Sequence, residues 1–200
     1  MLQLRHFALP LCLVAALVHA QDYDLIIRHG RVIDGTGRAA YLGDVAVRGD
    51  RIVALGALSG TARTEIDAQS RVVAPGFVDV HTHSEDICDL PVAENFLRMG
   101  VTTIVTGNCG GSKLDVGDFF ADITRTKVAL NVATLIGHNT VRGQVMGGSF
   151  ARPPTADELA KMCALVEQAM QDGAVGLSTG LIYLPGTFAK TDEIVALAKV

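Results

Sequence analysis

The stretch Ala74-Pro75-Gly76-Phe77-Val78-Asp79-Val80-His81-Thr82-His83 decides how this 200-residue chain is read. A Pro-Gly turn opens an apolar run, and the run ends in two histidines separated by one residue. Side chains two apart on a strand project to the same face. His81 and His83 therefore converge on one point, as two ligands of a single metal ion must. They also stand where an α/β protein keeps its chemistry, at the carboxyl end of a strand. A bare His-x-His pair reads as packed or solvated histidine. The apolar run and turn in front of this one favour the metal reading.

Downstream of Gly76 the sequence alternates strand and helix. Phe77 to Val80 reads as a first strand and Ala93 to Met99 as a short helix stopped by Gly100. Val101 to Thr106 is a β-branched second strand. Val116, Phe119, Phe120 and Ile123 share one face of a second helix with Asp115 as its cap. Leu130 to Ile136 reads as a third strand. Thr155-Ala156-Asp157-Glu158 is a capping box. Behind it Leu159, Met162, Cys163, Val166, Ala169 and Met170 form one helical stripe, so Cys163 is expected as a buried apolar residue. Ala174 to Tyr183 contains a fourth strand, and Thr191-Asp192-Glu193 begins a fourth helix. Near-continuous apolar strands alternating with helices predict a parallel sheet. Two architectures take such units, a closed (β/α)8 barrel and an open doubly wound sheet, and no Gly-x-Gly-x-x-Gly follows a strand here. Four units are about half of a barrel, so the sequence is expected to be the front portion of a longer design.

Upstream, residues 21–75 read as short strands and turns with no helix. Asp24 to Ile27 and Arg31 to Ile33 flank His29-Gly30, Asp34-Gly35-Thr36-Gly37 is a turn, and Gly49-Asp50 joins a hairpin. Residues 1–20 read as an export signal. Arg5 and His6 precede an apolar run, and Val18-His19-Ala20 offers small residues for cleavage, leaving Gln21 first. The expected location is thus periplasmic or secreted, with no membrane attachment after cleavage. Net charge is −4, which excludes a nucleic-acid-binding footprint, and 49% hydrophobic residues suit a globular core. The mature chain keeps Cys88, Cys109 and Cys163, an odd number, so at least one thiol stays unpaired within the chain. Metal ligation is one reason to keep it.

The strand ends carry the chemistry. His81 and His83 end the first strand, and the second runs into Gly107-Asn108-Cys109-Gly110-Gly111. The third ends in Gly137-His138-Asn139 and the fourth leads into Ser178-Thr179-Gly180-Leu181-Ile182-Tyr183. On a shared barrel rim these groups meet despite their separation in sequence. His81, His83 and Cys109 are ligand types suited to zinc. His138 reads either as a cap of its loop or as a group behind the ligands that orients them. Tyr183 reads as a site residue or as a core aromatic with its hydroxyl at the surface. Asp79 is expected as a buried hydrogen-bonding carboxylate, and Glu85 and Asp86 as solvated loop charges.

Residues Val73 to His83 resemble the opening motif of the amidohydrolase superfamily. More narrowly, Gly107-Asn108-Cys109-Gly110, Gly137 to Gly143 and Gly176 to Gly186 are similar to the D-aminoacylase (N-acyl-D-amino-acid deacylase) family, over about Tyr23 to Val200. The resemblance implies an α/β fold: a metal-dependent (β/α)8 barrel, incomplete in this chain, over residues 76–200, preceded by strands of a small β-sandwich over 21–75. It implies that His81, His83 and Cys109 are metal ligands and that Tyr183 holds or polarises the scissile carbonyl. His138, Asn139 and Ser178 would stand behind the ligands or against substrate. The family's remaining ligands and its catalytic aspartate lie on later strands, so no general base is named here. The implied activity is zinc-dependent hydrolysis of N-acyl-D-amino acids, small-molecule substrates. Two other readings stand beside it: a non-catalytic truncated remnant, and another amidohydrolase such as a deaminase or a sugar deacetylase. Hydantoinase-like relatives bridge two metals with a modified lysine on the fourth strand, and Ala174 to Tyr183 contains no lysine.

Overall fold

The computed structural model describes residues 22–200, in two compact units that divide at Pro75/Gly76. The expected export signal over residues 1–20 lies outside the described residues. Among the described residues no helix is long and apolar enough to cross a membrane.

The first unit is a single five-stranded sheet. Its strands are β1 (Tyr23–Val32), β2 (Tyr41–Arg48), β3 (Arg51–Gly56), β4 (Ala62–Asp67) and β5 (Val72–Val73). They run in the order β3-β2-β1-β4, with β5 also on β1. The hairpin at Gly49-Asp50 is present as read, with Arg48 paired to Arg51. His29-Gly30 does not separate two strands. β1 runs through it with an irregularity in its pairing to β2 between Ile27 and Gly30. His29 absorbs the extra residue at φ 52°, and its N–H donates to Asp44 Oδ1 at 2.9 Å. Arg28 next to it ties the sheet together, donating to Asp44, Glu65 and the Leu58 and Gly60 carbonyls. The Glu65 hydrogen bond raises its pKa.

The second unit is mixed α/β with parallel strands. Its elements are β6 (Phe77–Asp79), α1 (Glu94–Arg98), β7 (Val101–Thr106), α2 (Val116–Thr126), β8 (Asn131–Thr134), β9 (Ile136–Gly137), α3 (His138–Met146), α4 (Ala156–Gln171), β10 (Leu177–Ser178) and α5 (Thr191–Ala198). β6, β7 and β8 form one parallel sheet, and β9 pairs with β10 in parallel. β8 and β9 are two halves of the expected third strand, separated only by Leu135. Counting β8 and β9 as one, the four strands thus neighbour one another in chain order, without the reversal that marks a doubly wound sheet. No closed barrel is formed by the described residues.

Two helices follow from local chemistry. Asp115 caps α2 by accepting from the Asp118 N–H, and Val116 and Phe119 are buried on the expected face. Thr155 and Glu158 close a reciprocal capping box on α4. Met162, Val166 and Ala169 then reach the core with Ile136, Val141 and Leu197. Cys163 is only half-buried at the margin of that cluster, and Met170 is 40% exposed. The stripe is therefore narrower than its sequence period suggested. β6 departs further from expectation. Phe77 and Val78, and Val80 just past its end, are exposed, and β6 is an edge strand with a single neighbour among the described residues.

Candidate metal centre

His81 and His83 lie just past the end of β6. Thr82 between them is buried, with its hydroxyl donating to the Val105 carbonyl of β7 at 3.0 Å. Extended backbone alternates its side chains, so an inward Thr82 turns both histidines outward together. Asp79 is half-buried and accepts the His81 N–H at 3.1 Å, which fixes the start of the segment. This carboxylate makes a hydrogen bond as expected, but it is half-buried where burial was expected. Asn108 holds the far side, donating to the Thr82 and Val105 carbonyls.

Cys109 comes from the loop after β7. Its Sγ lies 3.4 Å from His81 Nε2, and one ligand atom from each of His81, His83 and Cys109 lies within 4.8 Å of the others. Tetrahedral zinc with ordinary Zn–S and Zn–N bonds separates a sulfur and a nitrogen ligand by about 3.6 Å. The Cys109–His81 distance suits such a site, and the trio needs only small side-chain adjustments to close on one ion. The donor set, two imidazoles and a thiol, is one that zinc accepts.

Close backbone packing builds the surroundings. A Cβ on Gly180 would stand 1.9 Å from the Cys109 carbonyl oxygen, and one on Gly137 would stand 2.3 Å from that of Gly110. Only glycine lets the ends of three strands approach this closely. Ser178 on β10 is buried, and its hydroxyl donates to the Gly107 carbonyl and accepts the Gly110 N–H at 3.0 Å. Asn139 donates to the Gly180 carbonyl at 3.2 Å. Glu85 is no solvated loop charge. It is half-buried, and its Oε1 accepts from the Thr106 hydroxyl and the Gly107 N–H, each at 2.8 Å. A cleft of about 480 Å³ opens over this assembly, lined among others by His83, Glu85, Cys109, Asn139 and Tyr183. The Tyr183 side chain is exposed at its edge, away from the core.

His138 is set apart from this group. It is the first residue of α3, fully buried, with Nε2 2.8 Å from Glu193 Oε1 on α5. Arg142, one turn along α3 and also fully buried, donates to the other oxygen of Glu193. It donates as well to the Phe150 and Arg152 carbonyls. The buried ion pair of Arg142 and Glu193 is absent from the reading of the sequence. Its one signal there is the Gly137-to-Gly143 stretch, whose polar residues have no amphipathic period to explain them.

Comparison with known proteins agrees with this geometry. The profile of the amidohydrolase family matches residues 64–198. D-aminoacylase of Alcaligenes xylosoxydans xylosoxydans is 38% identical over 90% of this chain and 42% of its own length. N-acyl-D-aspartate deacylase of the same organism is 39% identical over 86% of this chain and 39% of its own. Among solved structures, N-acyl-D-glutamate deacylase from Bordetella bronchiseptica, complexed with zinc and a phosphonate inhibitor, superposes with a TM-score of 0.84 at 36% identity. That match covers 88% of this chain and 42% of the other. A D-aminoacylase crystal structure gives 0.83 at 39% identity with the same coverage. The chain thus spans about two-fifths of the length of these relatives. A profile match over more than half of its residues, on top of the parallel strands and the strand-end trio, makes this chain a member of the amidohydrolase family.

Proposed function

We propose that the protein carrying this sequence is a zinc-dependent hydrolase of N-acyl-D-amino acids, with His81, His83 and Cys109 among its metal ligands. The observation that carries the reading is the convergence of their three ligand atoms to within 4.8 Å at the open rim of the parallel strands. Identity of 36–39% to three D-specific deacylases supports the substrate class. The exposed apolar side chains of β6 fit a wall that continues into a closed (β/α)8 barrel. Zinc held at this site supplies Lewis acidity toward the acyl carbonyl and acidifies water.

The chain's own residues do the rest of what this part of the site contributes. The cleft has the volume of a small-molecule site. Tyr183 stands at its edge with an exposed side chain, suited to donate a hydrogen bond to the scissile carbonyl as charge develops there. Ser178 commits its one proton to the Gly107 carbonyl and Asn139 commits one of its two amide N–H groups to the Gly180 carbonyl, so both shape the cleft and Asn139 keeps one N–H for substrate. Export through residues 1–20 belongs to the same proposal. A mature protein recovered from a Gram-negative host should begin at Gln21.

The experiment is turnover by the complete, zinc-loaded protein on N-acetyl-D-amino acids, beside their L-enantiomers, an aminopurine and an N-acetyl sugar. Release of the free D-amino acid, lost in Cys109→Ala together with bound zinc, supports the reading. Ammonia from the purine or acetate from the sugar, without D-amino acid release, replaces it with a deaminase or a sugar deacetylase. No turnover of any of them leaves the non-catalytic remnant.

A further inference from the structure

We propose that the Ser178 hydroxyl is the positioning group that holds Cys109 in its ligating conformation, by bridging the two peptide groups on either side of it. The inference rests on reading Cys109 as a metal ligand.

Cys109 sits at φ 54°, in the left-handed region, where a residue with a Cβ crowds the following carbonyl. Such a residue persists only where its surroundings over-determine it. At Cys109 the surroundings are identifiable. Ser178 Oγ donates to the carbonyl of Gly107, two residues before the cysteine, and accepts the N–H of Gly110, one residue after it. One hydroxyl thereby fixes the span of the loop across the strained residue. Ser178 is 9% exposed and sits on β10, paired directly with Gly137 of β9, so the bracket is anchored on sheet. Two further backbone groups of the loop are also held. The Gly107 N–H goes to Glu85, and the Gly110 carbonyl accepts from the Thr140 N–H.

The direction of the Cys109 side chain depends on that backbone angle. With φ held, Sγ points to His81 Nε2 at 3.4 Å. Without the hydroxyl, Gly107 and Gly110 each lose a buried partner, and φ is free to relax to negative values that swing Sγ away from the histidines. The single proton of Ser178 is already committed to Gly107, so its role is to position Cys109, with no contact to reacting atoms.

The test uses the complete protein. Wild type, Ser178→Ala and Cys109→Ala are loaded with Co(II) to read the thiolate-to-metal charge-transfer band, and zinc affinity is measured by chelator competition. The band should be present in wild type and absent in Cys109→Ala. In Ser178→Ala the band should weaken and zinc affinity fall about 10–100-fold, the range for groups that orient a metal ligand. Ser178→Ala with the wild-type band and affinity overturns the inference while leaving Cys109 a ligand. A band that survives in Cys109→Ala overturns the ligand reading itself. If Ser178→Ala does not fold, the isosteric pair Ser178→Thr and Ser178→Val decides. The threonine should keep the band and the valine lose it, and equal bands in the two overturn the inference.

Discussion

Glu193 on α5 sits between His138 and Arg142 of α3, fifty-five residues further along the sequence than His138, which it meets at 2.8 Å, and all three are buried. The pair of Arg142 and Glu193 balances charge inside the protein, and His138 and two backbone carbonyls take up further hydrogen bonds. Breaking a buried pair by neutralising one side leaves the other charge without compensation. Glu193→Gln, which keeps the shape, should destabilise the complete protein by about 3–5 kcal/mol in urea unfolding. Asp192→Asn, the exposed neighbour, should stay within about 0.5 kcal/mol of wild type. Equal unfolding midpoints for Glu193→Gln and wild type would show that the ion pair contributes nothing net.

That pair also marks where the sequence stops being legible. α2 and α4 can be read because their determinants are local: a cap at Asp115, a box at Thr155 and Glu158, and apolar residues at helical spacing behind each. The strand-end trio can be read because period-two alternation puts His81 and His83 on one side. α3 could not be read. His138 to Met146 carries no clear apolar stripe, and the helix is held by a carboxylate from a distant segment. Glu193 looked like an ordinary first-turn acid of a helix for the same reason. Glu85 looked solvated because its partners, Thr106 and Gly107, belong to the next strand and loop. The fourth strand expected within Ala174 to Tyr183 is the short Leu177–Ser178, and Tyr183 and Leu184 beyond it line the cleft.

Acid should loosen the start of α4. Both oxygens of Glu158 accept from Arg152 at 2.7 Å, and one also accepts the Thr155 N–H. The Arg152 bonds, followed by the backbone bond, bring its pKa down to about 2 from an ordinary 4.5. A lowered folded-state value means the stabilisation is complete above pH 4.5 and drains away as pH falls toward about 2. A carbon-detected NMR titration of the Glu158 carboxyl should find its midpoint near the lower end of that window. In Glu158→Gln, stability between these two pH values should lose part of its slope. An unchanged slope would count against the Glu158 carboxylate and its Arg152 bonds as its source.

Packing around α4 gives a graded expectation. Met162 is fully buried against Ile136 and Leu197, whereas Met170, two turns on, is 40% exposed. Met162→Ala should cost about 2–5 kcal/mol, the usual range for emptying such a site. Met170→Ala should cost well under half as much. Comparable losses at both positions would mean that α4 buries a different face from the one described.

Two glycines beside the cleft should behave oppositely when replaced by alanine. Gly180 packs against the Cys109 loop so closely that a Cβ would fall 1.9 Å from the Cys109 carbonyl oxygen and 3.0 Å from the Tyr183 ring. The first neighbour is backbone, so no rotamer change relieves it. Either the loop carrying Cys109 or the turn leading to Tyr183 must move. Gly111 stands only two residues beyond Cys109, yet the nearest atom to its added Cβ is 4.0 Å away, and its φ is ordinary for a side-chain-bearing residue. Gly111→Ala should therefore fold and bind zinc as wild type does, or gain slightly from a less flexible unfolded chain. Gly180→Ala should lose zinc affinity, and in the complete protein any amide hydrolysis with it. The loss should appear first in metal binding, since the displaced atom belongs to the backbone of Cys109 itself. Metal titration and thermal unfolding of the two variants side by side make the comparison. Wild-type zinc affinity in Gly180→Ala would mean that the close approach of these two strand ends is not what holds Cys109 against His81.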